Sequence, residues 1–352
     1  MTSVQTNLPA EWATQDAVLL AWPHAQSDWL PFLPRIEQVY RDLVFHITRF
    51  EHVVLLCNTS ELVAHVRPQL VERGVNLDRV RILNIEYNDT WLRDSGPITV
   101  SKSGQLSVCD FRFNGWGGKF DAALDDQICR AISQYDLFQA QYLRYEIFLE
   151  GGSIESDGAG TLMTTTQCLL TDTRNPAMSV ADYEVFFAKE FGTERVFWLR
   201  HGELQGDDTD GHIDMLARFC DSETIAYTQC ERQDDVHYAS LSALEQELQA
   251  LRTAKGQPYK LIPLPLPEPI YSAEGQRLPA SYANFLIIND AVLVPIYDDA
   301  NDERVLRRLQ ACFPRREVIG IQARAIIEQY GSLHCLTMQL PRGVLRLSEE
   351  VR

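Results

Sequence analysis

An excess of positive charge is the first thing this chain lacks. Its 352 residues carry 32 Lys and Arg against 49 Asp and Glu, a formal net charge of -17. Phosphate backbones are bound by basic surfaces, so no nucleic-acid partner is expected. No apolar run approaches the length of a membrane span, so no membrane partner is expected either. The opening Met1-Thr2-Ser3-Val4-Gln5 has none of the basic, apolar and cleavage regions of a secretory leader, and the expectation is a cytoplasmic protein. CxxC pairs are missing too. Cys57, Cys109, Cys129, Cys168, Cys220, Cys230, Cys312 and Cys335 are scattered, which indicates neither a zinc site nor a redox motif and suits free thiols in a reducing compartment.

What is present is core material, 45% hydrophobic, and an acidic balance that can focus a field on a cationic substrate. Apolar patterning places a strand at Asp16 to Pro23, a helix from Pro34 to Thr48, a strand at His52 to Cys57, a helix from Ser60 to Arg73 and a strand at Val80 to Ile85. A unit of strand, strand, helix, strand then repeats. Its hairpins are Gly96 to Phe113, Gly152 to Leu170, Gly211 to Thr228 and Ser281 to Ile296. Its helices run over Ala122 to Gln134, Val180 to Phe191, Asp234 to Thr253 and Asp302 to Cys312. Strands at Arg144 to Leu149, Arg195 to Leu199, Tyr259 to Leu264 and Glu317 to Ile321 complete the units. The run after Cys335 reads as a strand that the thiol opens, and the strand from Asp16 is its expected partner. That pairing closes a ring without free edges and supplies a fifth unit, making residues 1–352 a single domain. The proline-rich piece Pro263 to Pro269 reads as a stiff loop between units.

Chemically loaded segments recur where one unit hands over to the next: Trp91 to Pro97, Leu149 to Ser153, Gly206 to Asp214, Ser281 to Asn284 and Ser332 to Cys335. In a radially repeated fold these positions converge on one axis. They supply a thiol, an imidazole and several carboxylates. Thiolates attack electron-poor carbon, and paired carboxylates grip a planar cation, so a small guanidinium substrate fits both demands. Asp94 and Asp214 would hold its nitrogens, Cys335 would attack the central carbon, and His212 would protonate the leaving ammonia and then activate water. Glu150 would accept a hydrogen bond from His212 or from a substrate nitrogen. This scheme needs no metal and no cofactor. Each residue also has an ordinary reading: Asp94 as half of an ion pair with Arg93, Glu150 as a turn acid, His212 as a satisfied histidine. His201, His237 and His334 keep that reading, as do Cys109, Cys168 and Cys220 in the core. A hydrolase with His212, Asp208 and Asp214 as metal ligands, and a non-catalytic binder of polyamine-like cations, are the alternatives from other classes.

These segments closely resemble the agmatine deiminases of the guanidine-modifying (pentein) superfamily, which also holds the bacterial-type peptidylarginine deiminases. The matching stretches are Leu8 to Trp12, Trp22-Pro23, Asn88 to Pro97, Phe113 to Gly118, Leu149 to Ile154, Asp207 to Asp214, Ser281 to Phe285 and His334-Cys335. The resemblance implies a five-bladed, pseudo-symmetric α/β-propeller that hydrolyses agmatine. It implies Cys335 as nucleophile, His212 as acid and base, Glu150 as its partner, and Asp94 and Asp214 on the guanidinium. Trp91 and Trp116 would wall the pocket, and Asp208 would meet the distal amine. Tyr330-Gly331-Ser332-Leu333 and Met215 depart from the family pattern. They leave peptidyl or free arginine as the alternative substrate, with Arg93 and Arg112 the cations that could meet its carboxylate. Self-association into a homo-oligomer stays open.

Overall fold

The computed structural model describes residues 6–347. The strands fall into five separate sheets of three or four strands. In three of these sheets an antiparallel hairpin is followed by a helix and a third strand that returns parallel. Thr224–Gln229, for example, pairs antiparallel with Ala217–Asp221 and parallel with Lys260–Pro265, the connection being the helix Tyr238–Ala250. A parallel return needs a crossover of this length, which is why each unit carries a helix or helical turns on its outer side. The molecule is a five-bladed α/β-propeller.

The blade made from both chain ends closes the ring. Thr337–Pro341 pairs antiparallel with Gln15–Ala21, which continues parallel to His52–Cys57 and Val80–Asn84. Its helix Leu33–Thr48 buries Ile36, Val39, Tyr40, Leu43, Val44 and Ile47, the stripe its sequence spacing predicts. Helix ends follow local chemistry. Thr59 caps Ser60–Arg73 by accepting from the Leu62 amide, and Ser179 with Asp182 forms a capping box on Val180–Phe191.

Four expectations need correcting. The helix over Ala122 to Gln134 shrinks to Asp125–Gln127 and Ile128–Ile132. Asp125 Oδ1 accepts from the amides of Asn88 and Asp89 at 2.7 and 3.2 Å, and Asp126 Oδ1 from Phe113 at 2.7 Å, so tertiary bonding overrides the helical pattern. The helix over Asp234 to Thr253 begins at Tyr238, because Asp235 turns back onto the His237 amide. Pro265 lies in a strand and not a loop, and Lys260–Pro265 is at the edge of its sheet, where missing N–H groups are tolerated. Cys335 does not open its strand: it sits in the single 3₁₀ turn His334–Leu336, and the strand starts at Thr337. Among the described residues, no helix is long and apolar enough to cross a membrane.

Candidate active site

The recurrent segments do converge. A β-carbon built on Gly152 would lie 2.6 Å from His212 Nδ1, 2.8 Å from Asp94 Oδ1 and 3.2 Å from Asp214 Oδ2, so three blades meet around one backbone position that only glycine can occupy. Asp94 comes from the single helical turn Leu92–Ser95, Asp214 from the 3₁₀ turn Ile213–Met215 and His212 from the residue before it. Short turns at blade ends aim these side chains inward with little freedom of their own.

Asp94 Oδ2 accepts from the Trp116 indole at 3.0 Å and Oδ1 from the Gly152 amide at 3.0 Å, with His212 Nδ1 at 3.5 Å. Trp116 reaches it from the left-handed region, φ 55°, between glycines that share that conformation, a strained loop of the sort functional sites retain. Glu150 faces His212 Nε2 at 3.6 Å, but its firm partner is Arg174, whose Nε donates to both carboxylate oxygens at 2.8 and 2.9 Å. Asp214 Oδ2 lies 2.8 Å from His334 Nδ1 and 3.7 Å from Cys335 Sγ, which also contacts Asn284 Oδ1 at 3.5 Å. Asp94, Glu150, His212, Asp214 and Cys335 are all buried.

The protonation states follow from burial set against charge. Burial alone would favour neutral His212, yet Asp94, Cys168 and Glu150 around it push the imidazole well above its ordinary value, so it is a cation at neutral pH. Burial is also opposed at Glu150, by His212 and Arg174, and at Asp214, by His334; both carboxyls end below the usual range. Asp94 shares His212 with Glu150 and has no second cation. Burial, with Asp214 and Glu150 close by, lifts it to about 6 despite His212. Burial and the neighbouring Asp214 and Asp94 raise the Cys335 thiol well above its ordinary value.

A pocket opens over the thiol. Trp91, Trp116, Asp94, Asp208 and Cys335 line it, as do Asp28, Asp89 and Tyr330, and among the described residues no Lys or Arg does. Gly331 leaves room for the Trp91 ring, which a β-carbon would meet at 2.3 Å. Asp89 is bonded by the indoles of Trp29 and Trp91 at 3.1 Å each, and burial lifts its carboxyl to about 6. Burial and Asp207 raise Asp208 to about 7 against the pull of Lys119. Neither arginine in question enters the pocket: Arg93 faces Glu11 and Met338, and Arg112 is paired with Asp126 and Glu146.

Three residues escaped the reading of the sequence. Arg174 lies in a polar loop with no pattern to mark it, and Glu11 reaches the site region across the whole fold by bonding His334 Nε2 at 2.7 Å. Asn284 stood in a recurrent segment without a role; its Oδ1 accepts from the His334 and Cys335 amides at 2.8 and 3.3 Å and so fixes the nucleophile's turn. His334 is a satisfied histidine as expected, yet its two partners make it the link between Glu11 and Asp214. The metal-ligand set His212, Asp208 and Asp214 does not form. Among the described residues the donors that gather are those of Glu150, Cys168 and His212, within 4.8 Å of one another, and Arg174 against Glu150 opposes a cation there.

The family model for Porphyromonas-type peptidyl-arginine deiminases matches residues 7–341. The chain belongs to that family. An agmatine deiminase of Pseudomonas aeruginosa is 32% identical, with 95% of each chain covered. A crystal structure from Porphyromonas gingivalis, provisionally named an arginine deiminase, is 44% identical with a TM-score of 0.90 over 97% of this chain and 100% of that one. A cysteine-to-serine variant of the agmatine deiminase of C. jejuni, solved with substrate bound, is 35% identical with a TM-score of 0.89 over 98% of each chain. Within this peptidyl-arginine deiminase family the similarity thus spans nearly the whole length of both chains.

Proposed function

We propose that the protein is an agmatine deiminase, a hydrolase of carbon–nitrogen bonds in linear amidines that converts agmatine to N-carbamoylputrescine and ammonia. One observation carries the choice of substrate: among the described residues, the pocket over Cys335 is lined by four aspartates and by no cation. Agmatine is positive at both ends and finds carboxylates throughout. Arginine would bring a carboxylate into the same acidic wall without a partner, so a like-charge penalty disfavours it.

Asp94 and Asp214 take the guanidinium nitrogens and place the central carbon over Cys335, while Trp91 and Trp116 flank the chain and Asp208 meets the distal amine. In the empty site the thiol is neutral. Bringing a cation beside the sulfur reverses the charge balance that keeps the proton on, so the thiol proton passes to solvent as substrate binds, and the ammonia released later takes one up in its place. Thiolate adds to the guanidinium carbon, and the tetrahedral adduct expels one nitrogen as ammonia with a proton from His212, leaving an S-alkylthiouronium. Neutral His212 then takes a proton from water. The hydroxide adds, the carbon–sulfur bond breaks, and the hydroxyl proton of the adduct passes to the departing sulfur, so a neutral ureido product leaves and the thiol is restored. Glu150, anchored by Arg174, stabilises the imidazolium. The cysteine-to-serine relative with substrate bound supports a cysteine at the chemical step.

The strand pairing between the two chain ends supports reading the whole chain as a single domain. Eight free thiols suit the cytoplasm. Assaying agmatine, free arginine and a peptide with C-terminal arginine for ureido product tests the proposal. Agmatine should lead in kcat/KM by roughly a hundredfold or more, the scale set by an unpaired buried charge. Equal or better turnover of either arginine substrate would overturn it.

A further inference from the structure

Three site segments alternate faces. Asp94, Gly152 and Cys335 border the catalytic centre, whereas the residue before each one, Arg93, Gly151 and His334, lines a separate cavity. That cavity has about 50 Å³ of water-accessible space. One water needs only about 10–15 Å³, so it can hold one small molecule or a few waters. Unpartnered buried polar atoms are concentrated in its walls: Arg93 Nε, Arg93 Nη2, Thr99 Oγ1, Gln15 Oε1 and Gln339 Oε1. Buried polar groups are normally satisfied, so such a concentration marks a missing partner.

Arg93 is the decisive group. Its side chain is 5% exposed, and Nη1 reaches only the Met338 sulfur, at 3.7 Å. The nearest acid oxygen, Glu11 Oε2, is 3.9 Å away and already bonds Arg218 at 2.6 Å and His334 at 2.7 Å. Nε and Nη2 form one edge of the guanidinium, the edge that grips a carboxylate side-on through two parallel hydrogen bonds. Gln15 Nε2 donates to the carbonyls of Glu11 and Ile287 at 2.7 and 3.0 Å, which fixes the amide so that Oε1 remains an acceptor. We propose that this cavity binds a small planar monovalent oxyanion of the carboxylate or bicarbonate type, held side-on by Arg93, with the Thr99 hydroxyl as a further donor and Gln15 Oε1 accepting from any hydroxyl the ligand carries. Glu155, on the cavity wall, is lifted by burial to about 7 despite Arg218, so it tolerates an anion beside it.

The test is thermal unfolding of the full chain at constant ionic strength and about pH 7, titrated with formate, with bicarbonate and with chloride. Formate and bicarbonate should raise Tm saturably and chloride should not, with bicarbonate the tighter because its hydroxyl can meet Gln15. Arg93→Lys keeps the charge and loses the fork, so the half-saturating concentration should rise about tenfold, the effect of losing one charge-assisted bond. Thr99→Val removes one hydroxyl and should weaken binding severalfold, which keeps the test open should the arginine variant fail to fold. A linear shift common to all three salts would mean a cavity filled by water only. That result, a saturable shift with chloride alone, or saturable shifts that both variants retain, would overturn the proposal.

Discussion

The carboxylates of the site divide into two regions according to what neutralises them. On the inner wall each acid has its own cationic or hydrogen-bonding post: Glu150 is clamped by Arg174 and Asp214 by His334, and both carboxyls lie below the ordinary range although fully buried. Along the pocket Asp89 and Asp208 have indoles, amides or the Lys119 ammonium, Asp94 shares the His212 imidazolium with Glu150, and burial lifts the three to about 6, 7 and 6. The inner wall is electrostatically complete before substrate arrives. The pocket lacks positive charge, and a dication such as agmatine supplies it. Machinery is therefore preorganised, while specificity is stored as an unmet electrostatic demand.

The deepest test of the inner wall is the nucleophile. Cys335→Ala should cut ammonia release from agmatine by more than about 10⁴-fold while agmatine still binds, because the carboxylates remain. Wild-type turnover would remove Cys335 from the chemistry. Asp94→Asn comes next. It removes a contact made in both ground and transition states, so KM should rise and kcat/KM fall roughly 10²–10³-fold; unchanged kinetics would remove Asp94 from the site. Arg174→Met separates completeness from chemistry, since it strands Glu150 in the core. Stability should fall by about 3–5 kcal/mol in denaturant unfolding, and adding Glu150→Gln should restore much of it without restoring activity. If the single variant is as stable as the wild type, Glu150 is not held as an isolated buried anion.

The two regions also differ in how far they can be read from sequence. Trp91, Asp94, Asp208, His212, Asp214 and Cys335 stand in recurrent segments, so the rhythm that predicts the blades predicts their gathering as well; Trp116 lies outside those segments and only the family resemblance points to it. His334 shares that rhythm, but Arg174 and Glu11 do not. Arg174 lies 24 residues from Glu150 in sequence, in a loop of its own, and Glu11 lies 323 from His334, a contact that only the closed ring creates. A buried ion pair between distant loops leaves no periodicity, spacing or turn signal. Asp125 and Asp126 fail for the same reason: their side chains bind the backbone of other segments, and the helix their surroundings suggest is cut short. The strand runs on through Pro265 because proline excludes only a central strand and allows an edge.

The smallest effect bears most directly on the pocket. At pH 6 the Asp94 and Asp89 carboxyls are near half protonation and Asp208 is mostly protonated. A bound cation lowers each of these values, so binding must expel protons. Calorimetry of agmatine binding to the Cys335→Ala protein, in buffers of differing ionisation enthalpy, should show release of about one proton or more at pH 6, declining toward zero by pH 8, where all three acids are already ionised. Affinity should weaken as pH falls through 6, since the acids must first be deprotonated. Asp208→Asn should lower the release and raise KM roughly tenfold with little change in kcat, because the distal amine is bound alike in ground and transition states. Proton uptake, or a release that persists undiminished at pH 8, would show that the pocket acids have counterions of their own, and the contrast between the two regions would fail.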